Sequence, residues 1–344
     1  MLRWLGLMLL AVLLAATASY PAVEFLRPAL NVETRNALRA SGLAERFVSL
    51  PLGVMHIRDH HESGDAEVVL LVHGGTIGGY AFEHWQKPLG EAGYRVIVPD
   101  LLGYGFSDRP DVPYTKQFYI DQLDQLLTAL EIRESVHIIG ASLGGAIVTS
   151  FAAAKPDRVK SVTLLAPAGL GRTQIVNDIL LWPVIGDWAF RVLAPTLTTN
   201  TLIAAYANAP MTVREGLAQW MAEQTHFRGY GDGLLNTLRN YDSQWQPTDF
   251  EALGHSGHPV LAVWGTADTV NPFAQSKTLL DKVPQTEFAA LEGKSHAITF
   301  GETALVLAQV IPFLERVDEA TSVKSRRDAN SDEQKVGDKA PISD

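Results

Sequence analysis

The 344-residue sequence contains no cysteine. This absence excludes disulfide bonds, thiolate metal sites and a cysteine nucleophile. Positive charge is also scarce, because 28 Lys and Arg stand against 38 Asp and Glu and give a formal net charge of -10. An acidic chain repels a phosphate backbone, so nucleic acid is not an expected partner. No metal and no cofactor are expected either, since the adjacent His60 and His61 in a predicted loop are only a weak metal signal.

The longest apolar run lies at the amino terminus. Residues 5–16 are apolar without interruption, follow Arg3 and lead into an Ala-Thr-Ala triplet that fits a signal-peptidase site. Continued to Val23, the same stretch is nearly long enough to span a bilayer. Residues 1–23 are therefore predicted to be either a signal peptide or a membrane anchor. Both place the remaining chain outside the cytosol, secreted, periplasmic or anchored, because Arg3 favours the inner side.

The carboxyl end has the opposite composition. From about Val317 the sequence has mixed charges, few large apolar residues and no periodicity. Residues 317–344 are predicted to be a disordered polar tail.

Short apolar runs recur between these ends, at residues 67–72, 94–98, 136–139, 162–165, 260–264 and about 287–291. Such runs are typical of strands buried on both faces. Helical patterns lie between most of them, as in residues 117–130, and residues 45–58 alternate weakly like a β-hairpin. The sequence therefore predicts an α/β fold with a mostly parallel twisted sheet and helices on both faces.

One segment interrupts the alternation of strands and helices. Residues 168–253 show no convincing strand and hold four of the seven tryptophans, Trp182, Trp188, Trp220 and Trp245. We predict a helical lid inserted after the sixth strand, which divides the core into residues 24–167 and 254–316. Additional core helices are the alternative interpretation.

A G-x-S-x-G motif at residues 140–144 places Ser142 between a predicted strand and an Ala-rich predicted helix. This strand–turn–helix context is what a nucleophile elbow requires. The glycines let strand and helix approach closely, and the hydroxyl lies at the positive end of the helix. Ser142 is therefore the candidate nucleophile.

A serine hydroxyl needs a base, and the base needs a carboxylate that orients it. His296 follows the last predicted strand, and Asp268 follows the strand at residues 260–264. Both lie at carboxyl ends of strands, which is the edge where Ser142 is expected. No carboxylate follows the strand at residues 162–165, the other place where such folds carry the acid. We predict a catalytic triad of Ser142, Asp268 and His296.

The developing oxyanion needs preorganised N–H donors. One is expected to be the backbone N–H of Leu143, next after the nucleophile. The second is expected in the glycine-rich loop after residues 67–72, where we predict Gly75, with Thr76 as the next choice. His73 is expected to orient this loop by hydrogen bonding, and Ser107 to be structural.

These motifs together resemble the α/β-hydrolase superfamily. H-G-G after a strand, D-x-x-G-x-G-x-S, G-x-S-x-G-G, W-G-x-x-D and a late G-x-S-H occur in the expected order across about residues 46–315. The chain looks like the serine esterase and lipase branch, and is similar to monoacylglycerol-lipase-like members and C–C bond hydrolases. Epoxide hydrolases and haloalkane dehalogenases use an aspartate where this chain has Ser142, which argues against both.

The resemblance implies a hydrolase without a cofactor. The main expectation is an esterase that cleaves apolar, lipid-like carboxylic esters through an acyl-enzyme, with membrane association through the N-terminus. C–C bond cleavage or perhydrolysis by the same triad is the first alternative, because lid shape selects the substrate. A non-enzymatic binding protein on this fold is the alternative of another class, and the complete triad argues against it.

Overall fold

The computed structural model describes residues 22–61, 66–172, 177–206 and 211–337, together with Trp4, residues 6–8 and Ser19. The side chains of residue 205 and of residues 324–337 lie outside this description. The predicted signal peptide or anchor, residues 1–23, falls almost wholly outside the described residues and stays a prediction. Within the described part of the chain, no helix combines the length and apolar character needed to cross a membrane.

In the described ranges, eight strands form one sheet in the order β1-β2-β4-β3-β5-β6-β7-β8. The strands are β1 (Arg46–Leu50), β2 (Gly53–His60), β3 (Val68–Val72), β4 (Arg95–Pro99), β5 (Val136–Ala141), β6 (Val159–Leu165), β7 (Val260–Gly265) and β8 (Thr286–Leu291). The pairs β1–β2 and β2–β4 are antiparallel, and every other pair of neighbours is parallel. The predicted hairpin, the six predicted strands and the mostly parallel sheet are confirmed.

Burial explains why these strands could be predicted from the sequence. All residues of β5 and β7 are buried, because helices cover both faces of the central strands. The edge strand β8 is only partly buried, which accounts for its less apolar sequence.

Helices lie before, between and after the strands. Those whose bounds fall within the described residues are α1 (Val32–Ala40), α2 (Gln86–Glu91), α3 (Lys116–Ala129), α4 (Leu143–Ala154), α5 (Ile185–Val192), α6 (Ala194–Ala205), α7 (Met211–His226), α8 (Tyr230–Asn240), α9 (Pro247–His255), α10 (Gln275–Lys282), α11 (Ile298–Gly301) and α12 (Thr303–Gly337). Helix α3 begins after Thr115, whose side-chain oxygen accepts the Phe118 N–H at 3.3 Å, as in a typical N-cap. The helix predicted at residues 117–130 is thereby confirmed.

In the described residues between β6 and β7 the regular elements are helices, joined by turns and irregular segments, and Leu170 and Trp245 form an isolated antiparallel bridge. Helix α9 packs against α4 and α10, and its Phe250 and Leu253 are fully buried. It is therefore a core helix, and the predicted lid boundary at residue 253 is too far along the chain. We refer to α5–α8 as the lid helices.

The predicted disordered tail is wrong over its first part. Helix α12 continues past residue 317 to Gly337, and Val317 is buried. The reason is Asp318, which accepts hydrogen bonds from Lys160 Nζ at 2.5 Å and Tyr94 OH at 3.0 Å and lies 3.0 Å from His137 Nε2. These partners lie in or beside β4, β5 and β6, so the helix is bound to the sheet where its polar segment begins. Residues 338–344 lie outside the described residues.

Candidate active site

Ser142 lies at the sharp turn between β5 and α4. Its backbone has φ 53° and ψ -118°, a conformation that costs a non-glycine residue roughly 1–3 kcal/mol. The turn is fixed by hydrogen bonds from Ser142 N–H to Leu165 O at 3.0 Å and from Ala168 N–H to Ser142 O at 2.9 Å. These hydrogen bonds offset the strain and hold the serine at the carboxyl edge of the sheet, as in the turn of a nucleophile elbow.

The flanking glycines are required by close backbone contacts. A Cβ atom added at Gly144 would lie 2.1 Å from Val72 O, and one added at Gly140 would lie 2.4 Å from Gly144 O. Neither contact is relieved by a side-chain movement, because both neighbours are backbone atoms. The predicted role of these two glycines is confirmed.

The structure brings the three predicted triad residues together. His296 Nε2 lies 3.0 Å from Ser142 Oγ, and His296 Nδ1 lies 2.7 Å from Asp268 Oδ2. Because an ionised carboxylate only accepts, Nδ1 carries the proton and Nε2 is free to accept the serine proton. The unbroken chain of hydrogen bonds matches the geometry of a serine nucleophile with its base and orienting acid.

Asp268 is held in place by its second oxygen. Oδ1 accepts the backbone N–H groups of Val270 at 2.8 Å and Asn271 at 2.9 Å, and the carboxylate is fully buried. His296 is partly exposed, with 23% of its side chain accessible. The acid is thus rigid, while the imidazole remains open to a substrate.

The loops that carry Asp268 and His296 are joined to each other directly. Thr266 N–H donates to Leu291 O at 3.0 Å, and Ala267 N–H donates to Lys294 O at 2.9 Å. A Cβ atom at Gly265 would lie 2.2 Å from Lys294 O, so the two loops approach too closely for any side chain there. Acid and base are therefore set relative to each other by backbone contacts.

The glycine-rich loop after β3 lies beside the nucleophile. A Cβ atom at Gly74 would lie 3.9 Å from Ser142 Oγ. In the part of the chain that the structure describes, neither the Gly75 N–H nor the Leu143 N–H donates to a protein atom. Two donors without an internal acceptor near the serine are what an oxyanion hole requires.

His73 fixes the peptide that carries the Gly75 N–H. Its Nε2 accepts the Leu101 N–H at 2.9 Å, so its Nδ1 carries the proton and donates to Gly74 O at 2.6 Å. Burial lowers the pKa of His73, which favours this neutral form. Since the C=O and N–H of a trans peptide point in opposite directions, the bond to Gly74 O directs the Gly75 N–H away from His73. The structure thus agrees with the predicted orienting role of His73.

Sequence reasoning missed the function of Asp100. This fully buried carboxylate lies 2.8 Å from His56 Nδ1 and accepts the N–H groups of Gly79 at 2.7 Å and Phe106 at 2.9 Å. Burial alone would raise the pKa of Asp100, but the charge and hydrogen bond of His56 keep it below the ordinary value. Asp100 joins the far end of the glycine-rich loop to β2. A lone acidic residue at the end of an apolar run was the available signal.

Ser107 supports the same turn. Its hydroxyl donates to Asp100 O at 2.5 Å and accepts the His56 N–H at 2.8 Å. The prediction that Ser107 is structural is therefore confirmed.

One cluster outside the site has the residue types of a metal centre. The side chains of Glu67, His137 and Asp318 offer ligand atoms within 4.8 Å of one another. The Lys160 ammonium, however, lies 2.8 Å from Glu67 Oε1 and 2.5 Å from Asp318 Oδ1. A cation is already present among these carboxylates, so the cluster is an ion-pair network that binds α12.

The model of the alpha/beta hydrolase fold family matches residues 67–302, which include all three triad residues. The chain belongs to the α/β-hydrolase family. This α/β hydrolase is 25% identical over 266 residues to 2-hydroxymuconate semialdehyde hydrolase from Pseudomonas sp., covering 76% of the chain and 91% of that protein. It is 35% identical over 229 residues to 2-hydroxy-6-oxo-2,4-heptadienoate hydrolase from Pseudomonas putida, covering 64% of the chain and 78% of that protein.

Solved structures agree on the fold of this α/β hydrolase. A meta-cleavage product hydrolase from Pseudomonas fluorescens superposes with a TM-score of 0.62 at 23% identity, over 79% of the chain and 98% of that structure. A thermophilic esterase from Thermogutta terrifontis gives a TM-score of 0.66 at 19% identity, again over 79% and 98%. The predicted resemblance and fold class are confirmed.

Proposed function

We propose that this α/β hydrolase cleaves a carbon–carbon bond beside a ketone in a hydroxy-oxo-dienoate type of acid, with Ser142 as nucleophile. The observation that carries the reaction type is the hydrogen-bond chain from Ser142 through His296 to Asp268. It lies next to two N–H groups that have no acceptor among the described residues. The substrate class is supported by the relatives. Their named 6-oxo-dienoate substrates contain no ester, so their hydrolysis must break a C–C bond.

The reaction proceeds by addition to the ketone carbon. Ser142 Oγ bonds to that carbon and passes its proton to His296 Nε2, while the ketone oxygen gains negative charge. The N–H groups of Leu143 and Gly75 bind this oxyanion. The C–C bond then breaks, and its electron pair goes to the departing carbon, which takes the proton from His296 Nε2. Water hydrolyses the resulting acyl-serine and releases a carboxylic acid.

Cleavage of an apolar carboxylic ester is the second candidate, using the same residues in the same roles. A specific observation favours it. Four large apolar side chains in and beside the lid helices are more than half exposed, namely Trp182, Val184, Leu197 and Met211. An exposed apolar surface of this kind suits contact with a lipid-like substrate or a membrane. Membrane association through the N-terminus, outside the cytosol, belongs to this candidate and stays a proposal.

A paired substrate panel on the full chain tests both candidates. One arm follows the disappearance of a chromophoric 2-hydroxy-6-oxo-dienoate, and the other follows p-nitrophenyl esters of increasing acyl length. We expect a higher kcat/KM for the dienoate. A clear preference for the esters would transfer the assignment to the second candidate.

Variants of the nucleophile test the mechanism common to both. Ser142→Ala is expected to lower kcat by roughly 10⁴-fold or more on whichever substrate is turned over. Ser295→Ala is the matched control, because this exposed serine is adjacent to His296 and takes no part in the chain of hydrogen bonds to Ser142. A fluorophosphonate probe should label the peptide that contains Ser142. Retained turnover in Ser142→Ala would remove the serine mechanism.

A further inference from the structure

Lid helix α7 is hydrogen-bonded to the glycine-rich loop that carries the Gly75 N–H. Trp220 Nε1 donates to Ile77 O at 2.5 Å, and Gln224 Nε2 donates to Thr76 O at 3.0 Å. The two side chains are four residues apart, so they lie on the same face of the helix. Both are buried. His73 binds a third carbonyl of the loop, Gly74 O. Buried side chains therefore donate hydrogen bonds to three of the four carbonyls of residues 74–77.

The Trp220 ring has little freedom to move. Tyr80 stacks on it with ring centroids 5.2 Å apart, and Phe106 meets it edge-on at 4.8 Å. The Arg58 guanidinium lies 5.0 Å from its centroid in a cation–π contact. Because these neighbours fix the ring, the position of its N–H is fixed as well.

Gln224 is a polar side chain in a fully buried position. Burying an amide is unfavourable unless hydrogen bonds replace those lost to water. Here the Nε2 donates to Thr76 O and contacts Met221 Sδ, while the Oε1 has no partner among the described residues. An apolar side chain of similar volume would fill this space without an unpaired oxygen. Such a side chain would, however, lose the hydrogen bond to Thr76 O.

We infer that Trp220 and Gln224 are positioning residues for the oxyanion hole, acting through the carbonyls of Thr76 and Ile77. The inference rests on the proposed function, which assigns the Gly75 N–H to binding of the oxyanion. Oxyanion donors act only when held at the place where charge develops. Displacement of a reacting group by about 1 Å reduces rates on the order of 100-fold. The lid helix thus supports catalysis through the glycine-rich loop.

Two variants of the full chain remove the donors and keep an apolar or aromatic side chain in each position. Gln224→Met replaces the amide by an apolar chain of similar length, and Trp220→Phe keeps an aromatic ring but loses the N–H. We expect each to lower kcat roughly 10- to 100-fold with KM within about twofold, because the oxyanion exists only in the transition state. Gln219→Met is the matched control, since Gln219 is exposed on the same helix, and its kcat should equal that of the wild type.

A transition-state analogue separates positioning from general damage. Affinity for a boronic acid should fall in parallel with kcat/KM, while affinity for the product acid should stay constant. Unchanged kcat in the folded variants, or a rise in KM alone, would overturn the inference. If Gln224→Met does not fold, Trp220→Phe decides, with thermal unfolding as the check on folding. Failure of the proposed function is distinguishable, because a preference for the esters in the substrate panel, or retained turnover in Ser142→Ala, would reveal it whatever the lid variants do.

Discussion

Asp318 binds the carboxyl-terminal helix α12 to the sheet, and its removal should lower the free energy of unfolding. Only 24% of its side chain is exposed. Burial alone would raise the pKa of Asp318, but the hydrogen bonds and charges of His137 and Lys160 lower it from 3.8 to about 2. A depression of this size corresponds to about 2 kcal/mol of stabilisation at neutral pH.

The pH dependence follows from the direction of the shift. Since the pKa is lower in the folded state, the stabilisation is complete above about pH 5 and is lost as the pH falls towards 2. Asp318→Asn should therefore lower the free energy of unfolding by about 2 kcal/mol at pH 7 and by about 1 kcal/mol at pH 3. Urea unfolding of both proteins at pH 7, 5 and 3, followed by circular dichroism, measures these differences.

A matched substitution controls for the loss of one surface charge. Asp281 of α10 is largely exposed and pairs with Lys277 one helical turn away. Asp281→Asn should change the free energy of unfolding by less than about 0.5 kcal/mol, because exposed helical pairs contribute little. Equal effects of the two substitutions, or a difference for Asp318→Asn that stays constant down to pH 3, would refute the reasoning.

Two further predictions concern the catalytic edge of the sheet. Asp268→Asn should lower kcat by roughly 10³- to 10⁴-fold, because the imidazole loses the acceptor that sets its tautomer. Steady-state kinetics on the substrate identified by the panel measure this change. A retained kcat would exclude this role for Asp268. Gly144→Ala should lower the melting temperature by about 5 °C or more, because the added methyl would clash with Val72 O. Gly301→Ala is the control in the same thermal scans, because a methyl added at Gly301 would have no neighbour closer than 3.4 Å among the described residues.

The parts of this molecule that could be predicted from sequence are those with local causes. A strand buried on both faces must be apolar, and β5 and β7 are recognisable for that reason. The elbow around Ser142 needs glycines where backbones meet, so the motif records a steric requirement. Asp268 and His296 were found because each follows a strand at the edge where Ser142 had to lie.

The parts that escaped prediction depend on contacts between distant residues. A helical segment that is ion-paired to the sheet at one residue has the same polar composition as a solvated tail, so Asp318 could not be distinguished from its neighbours in sequence. Gln224 likewise looked like one of several polar residues in α7 until its contact with Thr76 O, 148 residues away in the chain, was known. The boundary of the lid was misplaced because α9 differs from a lid helix only in what it packs against.

The hydrogen bonds from α7 to the glycine-rich loop constrain the sequence of this helix more than the sequences of α5 and α6. Helices α5 and α6 make no hydrogen bond to that loop in the described residues, so their sequences are open to exchange between related proteins. Helix α7 is hydrogen-bonded to the loop that carries the Gly75 N–H. A chimera that imports a foreign α5–α6 segment should therefore acquire a new substrate range, whereas one that also replaces α7 must bring its own means of supporting the loop.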